Sequence, residues 1–165
     1  MMYQVAAMMG AAEKGAALIA EMQAKVEAVR AKARQWTVRP KVYFEEWDEP
    51  PISAIQWVSE LIGIAGGDDC FPELATQSLG KNRIIADGSE IVRRNPDIII
   101  GSWCGKKFRP ETVAARAGWG NVRAVKHQQI FEIKSPLILQ PGPAALTDGL
   151  DALHDIMAQW QTTRN

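Results

Sequence analysis

The stretch from residue 84 to residue 107 constrains the fold most, because it combines a helix start, a helix stop and a buried strand. Asp87 is a favourable N-cap, and Glu90 three residues later has capping-box spacing, so a helix is predicted to begin here. Asn95-Pro96 ends it, since proline disfavours helical geometry in the preceding residue. The isoleucines that follow show no polar alternation, which predicts a strand buried on both faces of a parallel sheet.

The remainder of the chain after residue 38 alternates between strand and helix patterns. Residues 41–47 and 129–133 are predicted as strands, and residues 143–160 carry apolar side chains at helical spacing. Strands that alternate with helices predict an α/β fold, here a small three-layer, Rossmann-like domain over residues 39–165 with a mainly parallel sheet. In open sheets of this kind, ligands bind at the carboxyl ends of the strands.

Residues 1–38 form a separate segment that is rich in Ala, Met, Glu and Lys, with apolar residues every three or four positions. This pattern predicts one long amphipathic helix, either a coiled-coil arm or a spine that joins two lobes. Over about 30 residues it would be about 45 Å long, so part of it must extend beyond the core. Gly10 weakens its first turns, where we expect fraying. The apolar stripe of Val5, Met8 and Ala12 predicts a homo-oligomer formed through this helix.

Charge and cysteine content exclude several classes of protein. Lys+Arg and Asp+Glu balance at 19 each, so no nucleic-acid partner is expected. Cys70 and Cys104 lack CxxC spacing, which argues against a zinc or redox pair but leaves a disulfide between them open. The first twenty residues carry Glu13 and Lys14 and no basic start, so they match neither a signal peptide nor a membrane span. On this basis alone the chain as given would stay in the cytoplasm.

Catalytic and metal-binding motifs are not found in the sequence, so we expect no catalytic residue, no metal site and no cofactor. His127 and His154 have no second ligand at metal spacing. Two alternatives to a binding protein remain open. One is a small α/β enzyme that uses Cys104, beside two lysines, or the acidic loop from Glu45 to Glu49. The other is a module that acts through helix-mediated assembly.

Tryptophans lie at the ends of two predicted strands. Trp47 and Trp103 should therefore meet at one edge of the sheet, where large flat side chains can line a cleft for a large flat ligand. Ile52 and Gln140 lie on loops that follow a strand or precede a helix. We expect Trp47, Ile52, Trp103 and Gln140 to converge there as the ligand-binding wall.

Three stretches of the sequence carry a resemblance to a known family. They are V-Y-F-E-E-W followed by a proline pair and a helix that ends in I-A-G-G-D-D-C-F, the block S-E-I-V-R-R-N-P-D-I-I-I, and Q-P-G-P-A-A-L-T-D-G-L. In order and spacing they resemble the C-terminal lobe of the ABC-importer substrate-binding proteins that carry cobalamin, haem and ferric siderophores. Residues 1–35 resemble the second half of the long helix that joins the two lobes of those proteins.

The resemblance implies a solute-binding module without catalysis that delivers a corrinoid, haem or siderophore to a membrane permease outside the cytoplasm. The similarity favours the cobalamin-type members. It also implies that the N-terminal lobe, with its half of the cleft and its export signal, lies outside this sequence. Glu90 occupies the place of the carboxylate that docks on permease arginines. Gln140 stands where family members often have arginine, so a ligand-anchoring charge is expected to be absent.

Overall fold

The structure, a computed structural model, describes residues 2–164. The helices are α1 (Met2–Met8), α2 (Ala12–Ala33), α3 (Gln56–Ala65), α4 (Pro72–Ala75), α5 (Ser89–Arg94), α6 (Pro110–Ala114), α7 (Arg123–Lys126), α8 (Ser135–Ile138) and α9 (Leu150–Thr163). The strands are β1 (Lys41–Asp48), β2 (Pro51–Ser53), β3 (Asp68–Asp69), β4 (Ile98–Gly101) and β5 (Ile130–Glu132). A π-helical turn, Ala145–Gly149, leads into α9. Helical segments lie between the parallel strands, as predicted, while β2 follows β1 directly.

The sheet is built around β1 and β4. Its strand order is β2-β1-β4-β5, and β3 also pairs with the start of β1. The pairs β1–β4, β4–β5 and β1–β3 are parallel, whereas β2 returns antiparallel to the end of β1. The predicted α/β fold with a mainly parallel sheet is therefore confirmed.

The two faces of the sheet are buried in separate cores, because side chains along a strand point alternately to opposite sides. Val42, Phe44 and Ile100 pack with α2, α3 and α9 on one face. Tyr43 and Ile99 pack on the other face with apolar side chains from the loops and short helices. The isoleucines of β4 are completely buried, which confirms the strand predicted from their pattern.

The N-terminal segment differs from the single continuous helix that was predicted. Gly10 has a φ of 65°, a left-handed conformation that favours glycine, and the chain turns there. Helix α1 then lies back against α2, with Ala6 against Gly15 and Met2 in a cavity that Met22 of α2 also lines. Helix α2 alone is about 33 Å long, and its second half packs on the core through Val26 and Val29. The residues expected to fray form the first arm of a helical hairpin.

A buried arginine holds the long connection between α3 and α5. Arg83 is 1% exposed, and its guanidinium donates hydrogen bonds to the carbonyl oxygens of Ser53, Gln77 and Ser78 at 3.0–3.3 Å. It also forms an ion pair of 2.6 Å with Glu46 of β1. A charged side chain is tolerated inside a protein when it is paired in this way. Arg83 therefore ties this connection to the β1–β2 hairpin.

Helix α5 begins after Gly88, which occupies the N-cap position that was predicted for Asp87. The Asp87 carboxylate accepts a hydrogen bond from the Ser89 backbone N–H at 2.9 Å and another from the Ser89 hydroxyl at 2.7 Å. The capping box with Glu90 is wrong, since the Glu90 carboxylate turns instead to the arginines at the end of the same helix. Asn95, with a φ of 50°, ends α5 one residue before Pro96, as predicted.

Candidate functional site

A cleft of about 470 Å³ opens at the carboxyl edge of the sheet, beyond the ends of β1 and β4. The residues that line it come from the β1–β2 turn, the start of α5, the loop after β4 and the segment around α6. They are Asp48, Glu49, Pro51, Gly88, Ile91, Trp103, Thr112, Arg116 and Trp119. This is the position at which open α/β sheets bind ligands.

A buried carboxylate supports the floor of the cleft. Glu45 is fully buried and accepts hydrogen bonds from the Tyr43 hydroxyl at 2.7 Å and the Trp103 indole N–H at 3.1 Å. The Arg116 guanidinium donates two more, at 2.6 and 2.9 Å, in a bidentate pair. Because both carboxylate oxygens accept hydrogen bonds, the protein tolerates the Glu45 side chain in its interior. The network fixes the positions of Trp103 and Arg116 in the cleft.

Burial and charge shift the pKa values of Tyr43 and Arg116, two of the groups that donate hydrogen bonds to Glu45. Burial raises the pKa of Tyr43 well above its usual value, and the negative charge of Glu45 adds to the effect, so Tyr43 remains a phenol. Burial opposes the charge of Arg116, but the hydrogen bonds from its guanidinium to Glu45 outweigh burial and raise its pKa. The guanidinium also lies 4.7 Å from the centre of the Trp119 ring, a cation–π contact.

The end of β4 is shaped to bring Trp103 beside the cleft. A Cβ atom at Gly101 would overlap the ring of Phe108, so the absence of a side chain permits this close approach. Phe108 in turn packs edge-on against Trp103, with ring centres 4.8 Å apart. Trp103 is only 6% exposed. A small part of its indole therefore reaches the cleft, and the rest is core.

Lys106, on the loop after β4, contacts both Trp47 and Trp103, the two tryptophans that were predicted to bind ligand. The Lys106 ammonium lies 5.2 Å from the centre of the Trp103 ring and 5.7 Å from that of Trp47. It also pairs with Asp48 at 2.6 Å. The second carboxylate oxygen of Asp48 is buried and has no hydrogen-bond partner among the described residues.

The four predicted ligand-binding residues are placed differently from one another. Trp103 lines the cleft. Trp47 is half-buried at the end of β1, donates its indole N–H to the Glu49 carbonyl oxygen at 3.0 Å, and faces Ile52 across the β1–β2 pair. Gln140 is exposed on the segment after α8 and does not belong to the lining of the cleft. The structure thus groups Trp47, Ile52 and Trp103, with Lys106 between the indoles.

Arg116, Thr112 and Trp119 also line the cleft, although no sequence motif marks them. They follow β4 by at least ten residues and belong to a short helix and an irregular segment, whose paths a periodic pattern does not predict. One signal was available, since Arg116 is the single charged residue in the stretch A-A-R-A-G-W-G. An isolated cation three residues before a tryptophan is compatible with a cation–π pair.

Glu90, the predicted docking residue, lies on α5 with its side chain 24% exposed. Its carboxylate pairs with Arg93 and accepts a hydrogen bond from Arg94 at 2.8 Å. Hydrogen bonds from Arg93 and then Arg94 lower the pKa of Glu90, so the carboxylate is charged at neutral pH. Arg94 also pairs with Glu73 at 2.6 Å and covers the ring of Phe71 at 4.0 Å. Glu90 therefore belongs to an ordered network of charges on the surface.

The residues considered for catalysis have other roles or surroundings. Glu45 and Asp48 of the acidic loop are paired with Arg116 and Lys106. The cysteines form no disulfide, since Cys70 is a buried free thiol and Cys104 an exposed one. Burial raises the pKa of Cys70 to about 12, with a further contribution from the Asp69 charge. Within residues 2–164, no three His, Cys, Asp or Glu side chains are grouped so that they could hold a metal ion.

Comparison with known proteins assigns the family. The family model described as periplasmic binding protein matches residues 1–137, most of the chain. This chain belongs to the periplasmic binding protein family. An uncharacterized ABC transporter substrate-binding lipoprotein of Bacillus subtilis, YvrC, is 32% identical over 63 residues, which cover 38% of this chain and 19% of that protein. No helix in the described part of the chain is long and apolar enough to span a membrane.

Solved structures share the fold. A possible iron-binding, periplasmic solute-binding protein of Staphylococcus epidermidis has a TM-score of 0.77 at 20% identity, over 94% of this chain and 59% of its own. IsdE of S. aureus, solved with heme, has a TM-score of 0.73 at 19% identity, over 94% of this chain and 61% of its own. The periplasmic vitamin B12-binding protein BtuF of Vibrio cholerae has a TM-score of 0.67 at 16% identity, over 93% of this chain and 56% of its own. The predicted resemblance is confirmed, and this chain spans about three fifths of the length of these structures.

Proposed function

We propose that this chain forms one wall of the ligand site in a substrate-binding protein of an ABC importer, outside the cytoplasm. The ligand would be large and partly flat, of the corrinoid, haem or ferric-siderophore type, and the protein would deliver it to a membrane permease. The observation that carries the proposal is the cleft at the carboxyl edge of the sheet, with Trp103, Trp119 and Arg116 on its walls, in a periplasmic binding protein.

The composition of the cleft supports binding rather than catalysis. Indole edges from Trp103 and Trp119 offer apolar contact, while Thr112, Arg116 and Asp48 offer polar groups that can orient a ligand. Trp47 and Ile52 would extend this wall beyond the cleft, and Gln140 would add an uncharged polar group. A cleft with one wall buries less of a ligand than a closed site, so we expect modest affinity from this chain alone.

A titration tests the proposal directly. Cyanocobalamin, haemin and a ferric hydroxamate siderophore are each added to the chain, and binding is measured by tryptophan fluorescence and calorimetry. Thr112→Trp should obstruct the cleft. Thr162→Trp is its matched control, because both threonines are exposed on helices and donate a hydrogen bond to the carbonyl oxygen three residues earlier.

We expect saturable binding of at least one ligand, weakened about tenfold or more by Thr112→Trp and unchanged by Thr162→Trp. Failure of all three ligands to bind, or equal binding by both variants, would overturn the proposal.

We propose that Glu90 is the carboxylate that docks on permease arginines. Its charge, partial exposure and ordered position on α5 support this role. Exposed pairs mainly speed and orient encounter, so binding to the cognate permease in proteoliposomes should fall several-fold in Glu90→Gln at low ionic strength, and less at high salt. Glu21→Gln, which removes an exposed charge from α2, is the control. Unchanged binding by Glu90→Gln at low salt would reject the role.

A further inference from the structure

Both cations at the cleft already have internal partners. Arg116 is held bidentately by Glu45 at 2.6 and 2.9 Å. Lys106 is held by Asp48 at 2.6 Å and by the faces of two indoles. An acidic ligand would have to compete with these carboxylates for each cation. The Arg116–Glu45 pair is partly shielded from water, where competition between charges is stronger than at an open surface, whereas the Lys106–Asp48 pair is exposed.

Hydrogen-bond acceptors remain in excess around the same cleft. One oxygen of Asp48 is buried without a hydrogen-bond partner among the described residues. The exposed Glu49 lines the cleft and takes part in no ion pair of the described chain. With Glu45 beneath the floor, three carboxylates face two cations. Such a surface repels a ligand carboxylate and favours a ligand that donates hydrogen bonds.

We propose, as an extension of the proposed function, that the cleft selects an uncharged ligand with amide N–H donors on its periphery, and that Asp48 excludes acidic ligands. Amide donors can pair with the exposed carboxylate of Glu49 without breaking either internal ion pair. A corrinoid with carboxamide side chains fits this description, whereas the carboxylates of haem do not. Asp48 acts through its charge, because it repels an acidic ligand and keeps Lys106 neutralised.

Two ligands that differ by one carboxylate test how the charge of the ligand affects binding. Cyanocobalamin is compared with its monocarboxylic acid derivative, in which one side-chain amide is hydrolysed, and with haemin as a more acidic ligand of another shape. Each is titrated into the wild-type chain, into Asp48→Asn and into Asp155→Asn. Asp155 is an exposed carboxylate on α9, outside the lining of the cleft, so its variant controls for net charge alone.

We expect the wild type to bind cyanocobalamin more tightly than the monocarboxylic acid, by on the order of tenfold. Asp48→Asn releases Lys106 and should reduce that ratio to near one, while Asp155→Asn keeps it. Equal or tighter binding of the acid or of haemin by the wild type, or an unchanged ratio in Asp48→Asn, would overturn the inference and leave the solute-binding function intact. Failure of every ligand to bind would reject both.

Discussion

Glu45 shows how a charge can be kept beneath a binding surface. Three side chains donate four hydrogen bonds to it, from a phenol, an indole and a guanidinium. Removing one partner of such a buried pair costs more than the pair contributes, because the other charge is left without compensation inside the protein. The stability of the cleft floor should therefore depend on Arg116 more than its partly exposed position suggests.

Arg116→Met tests that dependence. The substitution leaves the buried Glu45 carboxylate without its guanidinium partner, so we expect the free energy of unfolding to fall by about 3 kcal/mol. In the double variant Glu45→Gln with Arg116→Met, part of this loss should be recovered, since the uncompensated charge is gone. Urea denaturation followed by tryptophan fluorescence measures all three proteins. A loss below about 1 kcal/mol in the single variant would contradict the role assigned to the pair.

Cys70 should make stability dependent on alkaline pH. Burial, with a smaller effect of Asp69, raises the pKa of its thiol from 9.0 to about 12 in the folded chain. The contribution is fully present below about pH 9, and it is lost as the pH rises towards 12, because only the unfolded chain releases the proton in that window. Cys70→Ala should therefore lose stability less steeply than the wild type between about pH 9 and 11. Urea denaturation at each pH checks this, and Cys104→Ala, which alters an exposed thiol, should retain the wild-type slope.

Strand β4 positions the aromatic part of the site through Gly101, whose missing side chain admits the ring of Phe108. Gly101→Ala should destabilise the chain by about 2 kcal/mol, the usual cost of overpacking a core, and change the emission of Trp103. Gly63→Ala is the control, because Gly63 lies on α3 with open space where a Cβ would be placed. It should be neutral or stabilising by up to about 1 kcal/mol. Equal denaturation midpoints for both variants would argue against the close packing at Gly101.

The elements that were predicted well are those with a local cause. Buried β4 follows from its unbroken isoleucines, and the end of α5 follows from Asn95 and Pro96. The N-terminal hairpin was missed because apolar spacing continues on both sides of Gly10, and spacing alone does not reveal a reversal of direction. Glu90 was assigned to a capping box because a glutamate at this position can either cap the helix or pair with a nearby arginine. The structure shows the second arrangement, since Arg93 and Arg94 point towards its carboxylate.

The position of the cleft was predicted from the sequence, but most of the residues that line it were not. Two tryptophans at strand ends indicated the edge of the sheet at which the cleft opens, since parallel strands end together. Arg116 reaches Glu45 across 71 positions of sequence, and such a contact is created by tertiary packing. Trp103 was predicted as a ligand-facing ring, but the hydrogen bond of its indole to Glu45 draws it into the core. Gln140 depended on the family resemblance, and its role stays a prediction.

For the chain as a whole, the main exposed feature is an apolar surface on helix α1. Tyr3, Val5 and Met8 are 59%, 50% and 87% exposed, and exposed apolar groups of this kind favour association. We expect a dimer or larger oligomer to form through this helix as concentration rises. Val5→Glu combined with Met8→Glu should shift the sedimentation profile to the monomer, while Gln4→Glu on the same helix should not. A monomer at every concentration would contradict the prediction.

The connection that precedes α5 is also hydrogen-bonded to β2 through its backbone, at Arg83 and Ile85. The Ser53 amide donates to the Arg83 carbonyl oxygen at 3.1 Å, and the Ile85 amide donates to that of Pro51 at 2.9 Å. These amides are protected from hydrogen exchange only while the connection is docked, so they should exchange together, at a lower opening free energy than the isoleucine amides of β4. Gly88 at the end of this connection also lines the cleft. We therefore expect one side of the cleft to open as a cooperative unit while the parallel sheet remains folded.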